Sequence, residues 1–395
     1  MLFGAHGTDA SFFLFFFGFS QSAVPKTARG GTDARSKATE SLEEVREYGD
    51  EHGSQAGKGG AAQMRATSHT TRRAARRPGL GLAAGGPRRV VVRRAAPPME
   101  NDQEVARQIP KSIHDIDNGK ILGFDANLSE DHPGFHDEDY KQRRSWIASL
   151  ARDIVPGDPI PRLEYRPEEQ ETWAKALGEL EKLFPTHACK EFLDAVDRLD
   201  FRPDVVPQLQ DVHEVLQETS GFAIRPVAGL LHPRDFLNGL AFKTFHSTQY
   251  MRHFSQPMYT PEPDLIHEII GHIPMLTNKY YADMVQQIGL ASLYATDKEI
   301  WHLTKVYWYT VEFGVVMEEE EVKAFGAGIL SSYGELDHMK TGDRELAPLD
   351  PWAKQPKMSY KDGFQKKYFV LSSFEEGSEL LRRYSKQYID REHQG

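Results

Sequence analysis

Residues 260–276 constrain this chain most, because they place two histidines in an otherwise apolar helical run. His267 and His272 are five residues apart, whereas paired metal-binding histidines on one face of an α-helix are four apart. Five steps of about 100° turn the second ring roughly 140° away from the first. Both rings can therefore reach one ion only if the helix ends between them. Gly271 and Pro274 predict that end, since Gly caps helices and Pro cannot continue them.

A third candidate ligand lies downstream at Glu312. It is the only acid in residues 306–316, which are mostly aromatic and β-branched. A buried Glu is costly unless it is paired, hydrogen-bonded or bound to a metal. Two histidines and a carboxylate, with no Cys nearby, are the ligand set of non-haem Fe(II) oxygenases, although spacing alone leaves zinc open. The alternative is that both histidines are core residues with satisfied hydrogen bonds.

Apolar spacing predicts a folded body that is mainly α-helical with short β-strands. Apolar residues recur at three- and four-residue steps, and few runs alternate as half-buried strands do. Helices are expected at residues 139–154, 167–184, 186–199, 206–219, 278–293 and 372–388, and the segment 298–315 carries Glu312. Strands are expected near 224–227 and 241–246, a solvated turn at 318–321, a loop at 325–335 and irregular chain after 338.

Five motifs resemble those of the tetrahydropterin-dependent aromatic amino acid hydroxylases, most closely the phenylalanine-hydroxylating branch. They occur in the family's order, within a resemblance that covers roughly residues 125–385. The motifs are residues 249–253, 257–264, 267–272, 307–314 and 326–335. The resemblance implies a single aromatic amino acid hydroxylase catalytic domain. It also implies Fe(II) and a tetrahydropterin as cofactors, the latter being tetrahydrobiopterin or a reduced folate.

The resemblance also implies a role for each matching residue. The expected iron ligands are His267, His272 and Glu312. The expected pterin contacts are Gly229, Leu231, Phe236, Glu268 and Tyr307, of which Glu268 and Tyr307 are also the expected catalytic residues. The expected amino acid contacts are Arg252, Thr260, Pro263, Trp308, Phe313, Gly328 and Ser331. Arg252 is the expected partner of the substrate carboxylate, because a guanidinium can bind a carboxylate through two parallel hydrogen bonds.

The predicted reaction is hydroxylation of the ring of a free aromatic amino acid by O2. L-Phenylalanine, converted to L-tyrosine, is the first choice, and tryptophan is the alternative. Residues 360–365 resemble the family's specificity loop, but Lys366 follows where Pro is usual. In another class of function, a zinc metallohydrolase would use Glu268 as its general base. The five-residue histidine spacing and the aromatic surroundings argue against that alternative.

The first 110 residues are expected to be disordered, and residues 111–395 to form the catalytic domain. Residues 20–63 contain too few large apolar residues to form a core. Residues 64–98 contain nine Arg and no Asp or Glu, which is typical of an organelle transit peptide. A nucleic-acid arm and a basic linker are the other interpretations. The expected location is the chloroplast, with mitochondrion and cytoplasm as alternatives. Residues 12–19 are either a signal-peptide core or sequence upstream of the true start.

Charge and composition limit the expected partners. The chain has net charge −10, with 15 basic and 8 acidic residues up to Met99, so the remainder carries 33 basic and 50 acidic residues. An acidic body argues against nucleic acid as a partner. Residues 12–19 are far shorter than the about 20 that span a bilayer, so no membrane association is expected. The single Cys189 rules out internal disulfides. Tetrameric family members extend beyond the last helix, so a monomer or weak dimer is expected.

Overall fold

A computed structural model describes residues 108–117, 121–123, 128–358 and 363–391 of the chain. The predictions for residues 1–107, including the transit peptide, lie outside the described residues. The described part is mainly α-helical with short β-strands, as predicted. Among its helices, none combines the length and the apolar character that crossing a bilayer requires.

Between residues 128 and 358, the longest connection without helix or strand runs from residue 248 to residue 264. The α-helices are α1 (Glu138–Arg152), α2 (Pro167–Leu180), α3 (Phe184–His187), α4 (Lys190–Leu199), α5 (Leu209–Thr219), α6 (Pro233–Ala241), α7 (Ile273–Leu276), α8 (Lys279–Tyr294), α9 (Asp297–Tyr307), α10 (Ala327–Leu330), α11 (Tyr333–Thr341) and α12 (Phe374–Ile389). The strands are β1 (Ile121–Gly123), β2 (Ala223–Pro226), β3 (Leu230–Leu231), β4 (Thr244–Ser247), β5 (Gly314–Glu318), β6 (Glu321–Ala324), β7 (Glu345–Pro348) and β8 (Lys367–Leu371). Two π-helices, π1 (His267–His272) and π2 (Trp308–Glu312), complete the set together with a 3₁₀ turn at Ile113–Asp115.

The strands form three small sheets. The largest has the order β6-β5-β8-β7, in which β5 pairs antiparallel with β6 and parallel with β8. The hairpin between β5 and β6 turns at Glu319 and Glu320, whose φ values are 47° and 71°. Both residues are exposed, so the predicted solvated turn is confirmed. The two smaller sheets pair β1 with β3 and β2 with β4.

The centre of the helical body is α8. Asn278 caps its start by accepting hydrogen bonds from the backbone N–H groups of Tyr280 and Tyr281. On one side α8 packs so tightly against α6 that a Cβ at Gly289 would lie 2.2 Å from the backbone nitrogen of Ala241. Only glycine fits at that crossing. On another side α12 docks on α8, so the predicted C-terminal helix joins the core.

Most predicted helices are present with shifted ends, but two expectations are wrong. The segment 298–315, to which no element was assigned, is helical as far as Glu312, and the chain then turns into β5 at Gly314. A Cβ at Gly314 would lie 2.2 Å from the ring of Phe325, so that strand can start only at a glycine. The loop expected at 325–335 contains α10 and the start of α11. The irregular chain expected after 338 contains β7 and β8, which are held by pairing with each other and with β5.

Candidate active site

The two histidines lie on one continuous helical segment, so the helix end expected between them is wrong. The backbone passes from π1 directly into α7. A π-helix closes hydrogen bonds from residue i to residue i+5, so residues five apart face the same side. The Nε2 atoms of His267 and His272 are therefore only 3.1 Å apart. Gly271 does not end the helix but lets α10 approach, since a Cβ there would lie 2.8 Å from the backbone oxygen of Ala327.

Glu312, the last residue of π2, faces this pair of histidines. Its Oε1 lies 3.3 Å from Nε2 of His272, and its Oε2 lies 3.6 Å from Nε2 of His267. All three side chains are buried. Burial alone would raise the pKa of Glu312, but the neighbouring His272 and His267 lower it below its ordinary value. That shift favours the charged carboxylate, and burial lowers the pKa of His267 to about 3, which favours its neutral ring.

These three side chains fit a bound divalent metal. Neither oxygen of the buried Glu312 carboxylate accepts a hydrogen bond from the described residues. A buried charge of this kind is stable only with a cation or with hydrogen-bond donors. The facing groups are imidazole nitrogens, which coordinate metals through a free lone pair. The donor set is thus two imidazole nitrogens and one carboxylate, the set expected for Fe(II).

Ser331 orients the ring of His267, a contact that the sequence did not predict. The Ser331 hydroxyl donates to the backbone oxygen of Ala327 at 2.7 Å, so it accepts from Nδ1–H of His267 at 2.9 Å. With the ring hydrogen on Nδ1, the lone pair on Nε2 points toward His272 and Glu312. The sequence motif assigned Ser331 only to the amino acid.

Glu268 is a second carboxyl group near the histidines. One of its oxygens and a nitrogen of each histidine lie within 4.8 Å of one another. Oε1 of Glu268, however, accepts hydrogen bonds from the backbone N–H and the hydroxyl of Thr248, at 3.3 and 3.4 Å. Burial raises the pKa of Glu268 well above its ordinary value, which favours its neutral form. The carboxylate of Glu312 has no such donors, which makes it the better metal ligand.

A cleft that is open to solvent lies beside the histidines. The predicted residues that line it are Gly229, Leu231, Phe236, Pro263, His267, Glu268, His272 and Tyr307. The ring of Phe236 packs edge-on against the ring of Tyr307, with centroids 5.3 Å apart. Burial and the nearby Glu312 carboxylate raise the pKa of the Tyr307 phenol well above its ordinary value.

Sequence reasoning missed the other half of the cleft wall. The unpredicted lining residues are Val227, Leu230, Phe245, His246, Thr248 and Tyr250. Several of them belong to residues 244–250, all of which are buried. Positions 246–249 within this run carry polar side chains. Polar side chains in a buried strand are the signal that could have marked this wall.

The other predicted substrate residues form two groups away from that cleft wall. In the first, the rings of Trp308 and Phe313 lie 4.6 Å apart, and a Cβ at Gly328 would come within 2.7 Å of the Phe313 ring. Trp308 begins π2, Glu312 ends it, and Phe313 follows directly. In the second group, Thr260 donates its hydroxyl hydrogen to the backbone oxygen of Glu262 at 2.6 Å.

Arg252 is buried and paired with Asp264. Its Nε and one Nη2 hydrogen bind the two carboxylate oxygens at 2.9 and 2.7 Å, and one Nη1 hydrogen reaches the backbone oxygen of Pro257 at 3.3 Å. Asp264 also accepts from the backbone N–H of His267 at 3.1 Å. A guanidinium carries five N–H groups, and these contacts use three of them. Arg252 is thus fixed in place with two N–H groups left for another acceptor.

Comparisons with known proteins show the family of the chain. The chain matches the family of biopterin-dependent aromatic amino acid hydroxylases over residues 107–394. It is 60% identical over 290 residues to the chloroplastic phenylalanine 4-monooxygenase of Pinus taeda, covering 73% of this chain and 82% of that relative. It is 64% identical over 274 residues to the chloroplastic enzyme of the same name from Chlamydomonas reinhardtii, covering 69% and 76%.

A solved structure shows the same fold. It is the phenylalanine hydroxylase of Chromobacterium violaceum with bound iron(III) and 7,8-dihydrobiopterin, at 32% identity and a TM-score of 0.53. The match covers 58% of this chain and 84% of that one. Motifs, fold and site agree, and the chain belongs to the biopterin-dependent aromatic amino acid hydroxylase family.

Proposed function

We propose that the chain is a phenylalanine 4-monooxygenase, which converts free L-phenylalanine and O2 to L-tyrosine. The observation that carries this proposal is the buried Glu312 carboxylate, which faces two histidine nitrogens beside a cleft that the predicted pterin contacts line. The names of the two plant and algal relatives support phenylalanine over tryptophan. Bound Fe(II) and reduced pterin together supply O2 activation, in which one oxygen atom enters the ring and the other leaves as water.

His267, His272 and Glu312 hold the Fe(II) in this proposal. Two neutral nitrogens and one carboxylate leave coordination positions open, as non-haem Fe(II) oxygenases require. Ser331 keeps the His267 ring in the tautomer that can bind a metal, because it accepts the hydrogen on Nδ1.

The cleft beside the histidines is the proposed pterin site. Phe236 stacks on the bicyclic ring, while the backbone of Gly229 and Leu231 pairs with its polar edge. Glu268 and Tyr307 close the site next to the histidines and are the proposed catalytic residues. All five residues line the same cleft, which supports this assignment.

The amino acid is proposed to bind on the Glu312 side. Arg252, which Asp264 holds in place, binds the substrate carboxylate with its two remaining N–H groups. Thr260 and Ser331 assist Arg252 in binding the amino acid. Pro263, Trp308, Phe313 and Gly328 surround the aromatic ring. An apolar cage of this kind excludes water from the reaction.

The protein is proposed to act in plastids, with residues 64–98 as its transit peptide and residues 111–395 as its catalytic domain. The chloroplastic relatives and the family match over residues 107–394 support this assignment. A fusion of residues 64–100 to a fluorescent protein tests it, and diffuse cytosolic signal would contradict it. A monomer or weak dimer without nucleic-acid or membrane partners stays a prediction. Light scattering tests the oligomeric state.

Anaerobic reconstitution tests the proposed reaction. The purified chain is loaded with Fe(II) or Zn(II), and O2 uptake and tyrosine formation are followed with and without reduced pterin. We expect tyrosine only with Fe(II), pterin and phenylalanine together. Faster turnover of tryptophan than of phenylalanine would favour the alternative substrate. Hydrolase activity with Zn(II) and Glu268 as base would contradict the proposal.

A further inference from the structure

Two side chains on one face of α11 contact the chain that leads into β8. Glu335 and His338 are three residues apart, so they lie side by side on the helix. Both contact residues 364–365, the end of the segment 360–365 that resembles the family's specificity loop. None of the roles proposed so far uses either side chain.

Together these side chains hold Gln365 through its backbone. Oε1 of Glu335 accepts a hydrogen bond from the backbone N–H of Gln365 at 3.1 Å. Nε2 of His338 donates to the backbone oxygen of the same residue at 3.2 Å. The His338 ring also stacks on the ring of Phe364, with centroids 4.7 Å apart and planes 20° apart. Both backbone polar groups of Gln365 are thus fixed by a helix.

Glu335 is itself fixed from the side of the sheet. The Tyr368 hydroxyl, on β8, donates to the same Oε1 at 2.5 Å. Glu335 is 4% exposed and Tyr368 is fully buried, so the contact lies inside the protein. Burial raises the pKa of Glu335 to about 7. A buried carboxyl group that joins a helix, a strand and a connecting segment restricts all three.

The held segment reaches the proposed substrate cage. Oε1 of Gln365 accepts a long hydrogen bond, 3.5 Å, from the indole Nε1–H of Trp308. The Trp308 ring in turn packs against Phe313. Gln365 is 4% exposed, so its side chain has little freedom to leave the indole. A shift of the Gln365 backbone would therefore move the wall of the cage.

We propose that Glu335 and His338 are positioning residues, which hold Phe364 and Gln365 and thereby set the aromatic ring that the Trp308 cage accepts. This inference rests on the proposed function, because it concerns the amino acid side of that site. It distinguishes Glu335 and His338 from catalytic residues, since neither contacts the cleft beside the histidines.

The test compares single substitutions in the Fe(II)-loaded full chain. Glu335→Ala removes the acceptor for Gln365 and Tyr368. His338→Phe keeps a ring against Phe364 but removes the donor, and it serves if Glu335→Ala fails to fold. Asp337→Ala is the matched control, because Asp337 is exposed on the same helix. Kinetics are measured with phenylalanine and with tryptophan, and folding is checked by circular dichroism.

Loss of one hydrogen bond changes affinity by roughly three- to tenfold. We expect the Michaelis constant for phenylalanine to rise by about that factor in both variants, while that for pterin stays within about twofold. The preference for phenylalanine over tryptophan in kcat/KM should change by at least about threefold. If the parent chain makes no tyrosine, the proposed function and this inference both fall. If the parent is active and both variants behave like Asp337→Ala, or if both Michaelis constants rise equally, only this inference is overturned.

Discussion

Replacing Asp264 with Asn tests whether the buried pair with Arg252 serves both the fold and the substrate. Asp264 is fully buried and Arg252 is 5% exposed. The carboxylate accepts from Nε, Nη2 and the backbone N–H of Arg252, at 2.9, 2.7 and 2.8 Å. Asn keeps the shape but loses the charge, and its amide hydrogens would face guanidinium hydrogens. The guanidinium would then be a buried cation without its counter-charge.

Removing one partner of a buried ion pair typically costs about 3–5 kcal/mol. For a domain of this size, that loss lowers the melting temperature by roughly 10 °C. Asp264 also accepts from the backbone N–H of His267, so the start of π1 loosens as well. Because Arg252 would lose its fixed orientation, we expect the Michaelis constant for phenylalanine to rise by about tenfold or more, and that for pterin to change much less.

Thermal unfolding and steady-state kinetics measure the two effects in the same preparation. Asp204→Asn is the matched control, because Asp204 pairs with Arg202 at 3.1 and 2.6 Å and both side chains are more than half exposed. Exposed pairs contribute about 0–1 kcal/mol, so the control should melt close to the parent. Arg252→Lys should reproduce the kinetic effect, since Lys has no two-pronged geometry. Equal melting of both Asn variants, with an unchanged Michaelis constant for phenylalanine, would refute the reasoning.

Three further substitutions test other parts of the structure. Glu312→Gln removes the anionic ligand, so we expect loss of tight Fe(II) binding in equilibrium dialysis, and full occupancy would remove this residue from the ligand set. Gly289→Ala forces a Cβ against Ala241 and should destabilise the fold by about 2–3 kcal/mol in urea unfolding, whereas Gly178→Ala, with open space around it, should be neutral or stabilising. Burial raises the pKa of Glu335 to about 7, so its contribution to folding is greatest below its ordinary pKa and is lost as the pH rises through about 7. The free energy of unfolding of Glu335→Gln, relative to that of the parent, should therefore rise by up to about 3 kcal/mol between about pH 5 and pH 8. A difference in unfolding free energy that stays constant across that range would contradict the shift.

The chemistry of the metal site was readable from the sequence, whereas its backbone was not. Residue types alone predicted His267, His272 and Glu312 as metal ligands, because two histidines and a carboxylate are a common ligand set for Fe(II). The helix end expected at Gly271 was wrong because the argument assumed α-helical geometry. Whether a helix widens to π depends on packing, here the contact of Gly271 with Ala327, which no local pattern records.

Strands β7 and β8 of the largest sheet were not predicted, for a similar reason. β8 pairs with β5, and Gly314 lies opposite Phe369 in that ladder. Strand propensity reflects packing against neighbours, and these neighbours are distant in the chain. Helices such as α8 and α12 were predictable because their apolar spacing and their caps, Asn278 and Ser373, are local.

The two π-helices restrict how this metal site can be transferred to another protein. Grafting the segment His267–His272 onto an ordinary α-helix of a designed scaffold would turn one ring away from the metal. Deleting one residue between the histidines would restore four-residue spacing, but it would rotate everything after the deletion by about 100°. A designer who wants this ligand geometry must therefore import the widened turn together with a close-packed neighbour such as α10. The same reasoning advises against searching for such sites with spacing rules drawn only from α-helices.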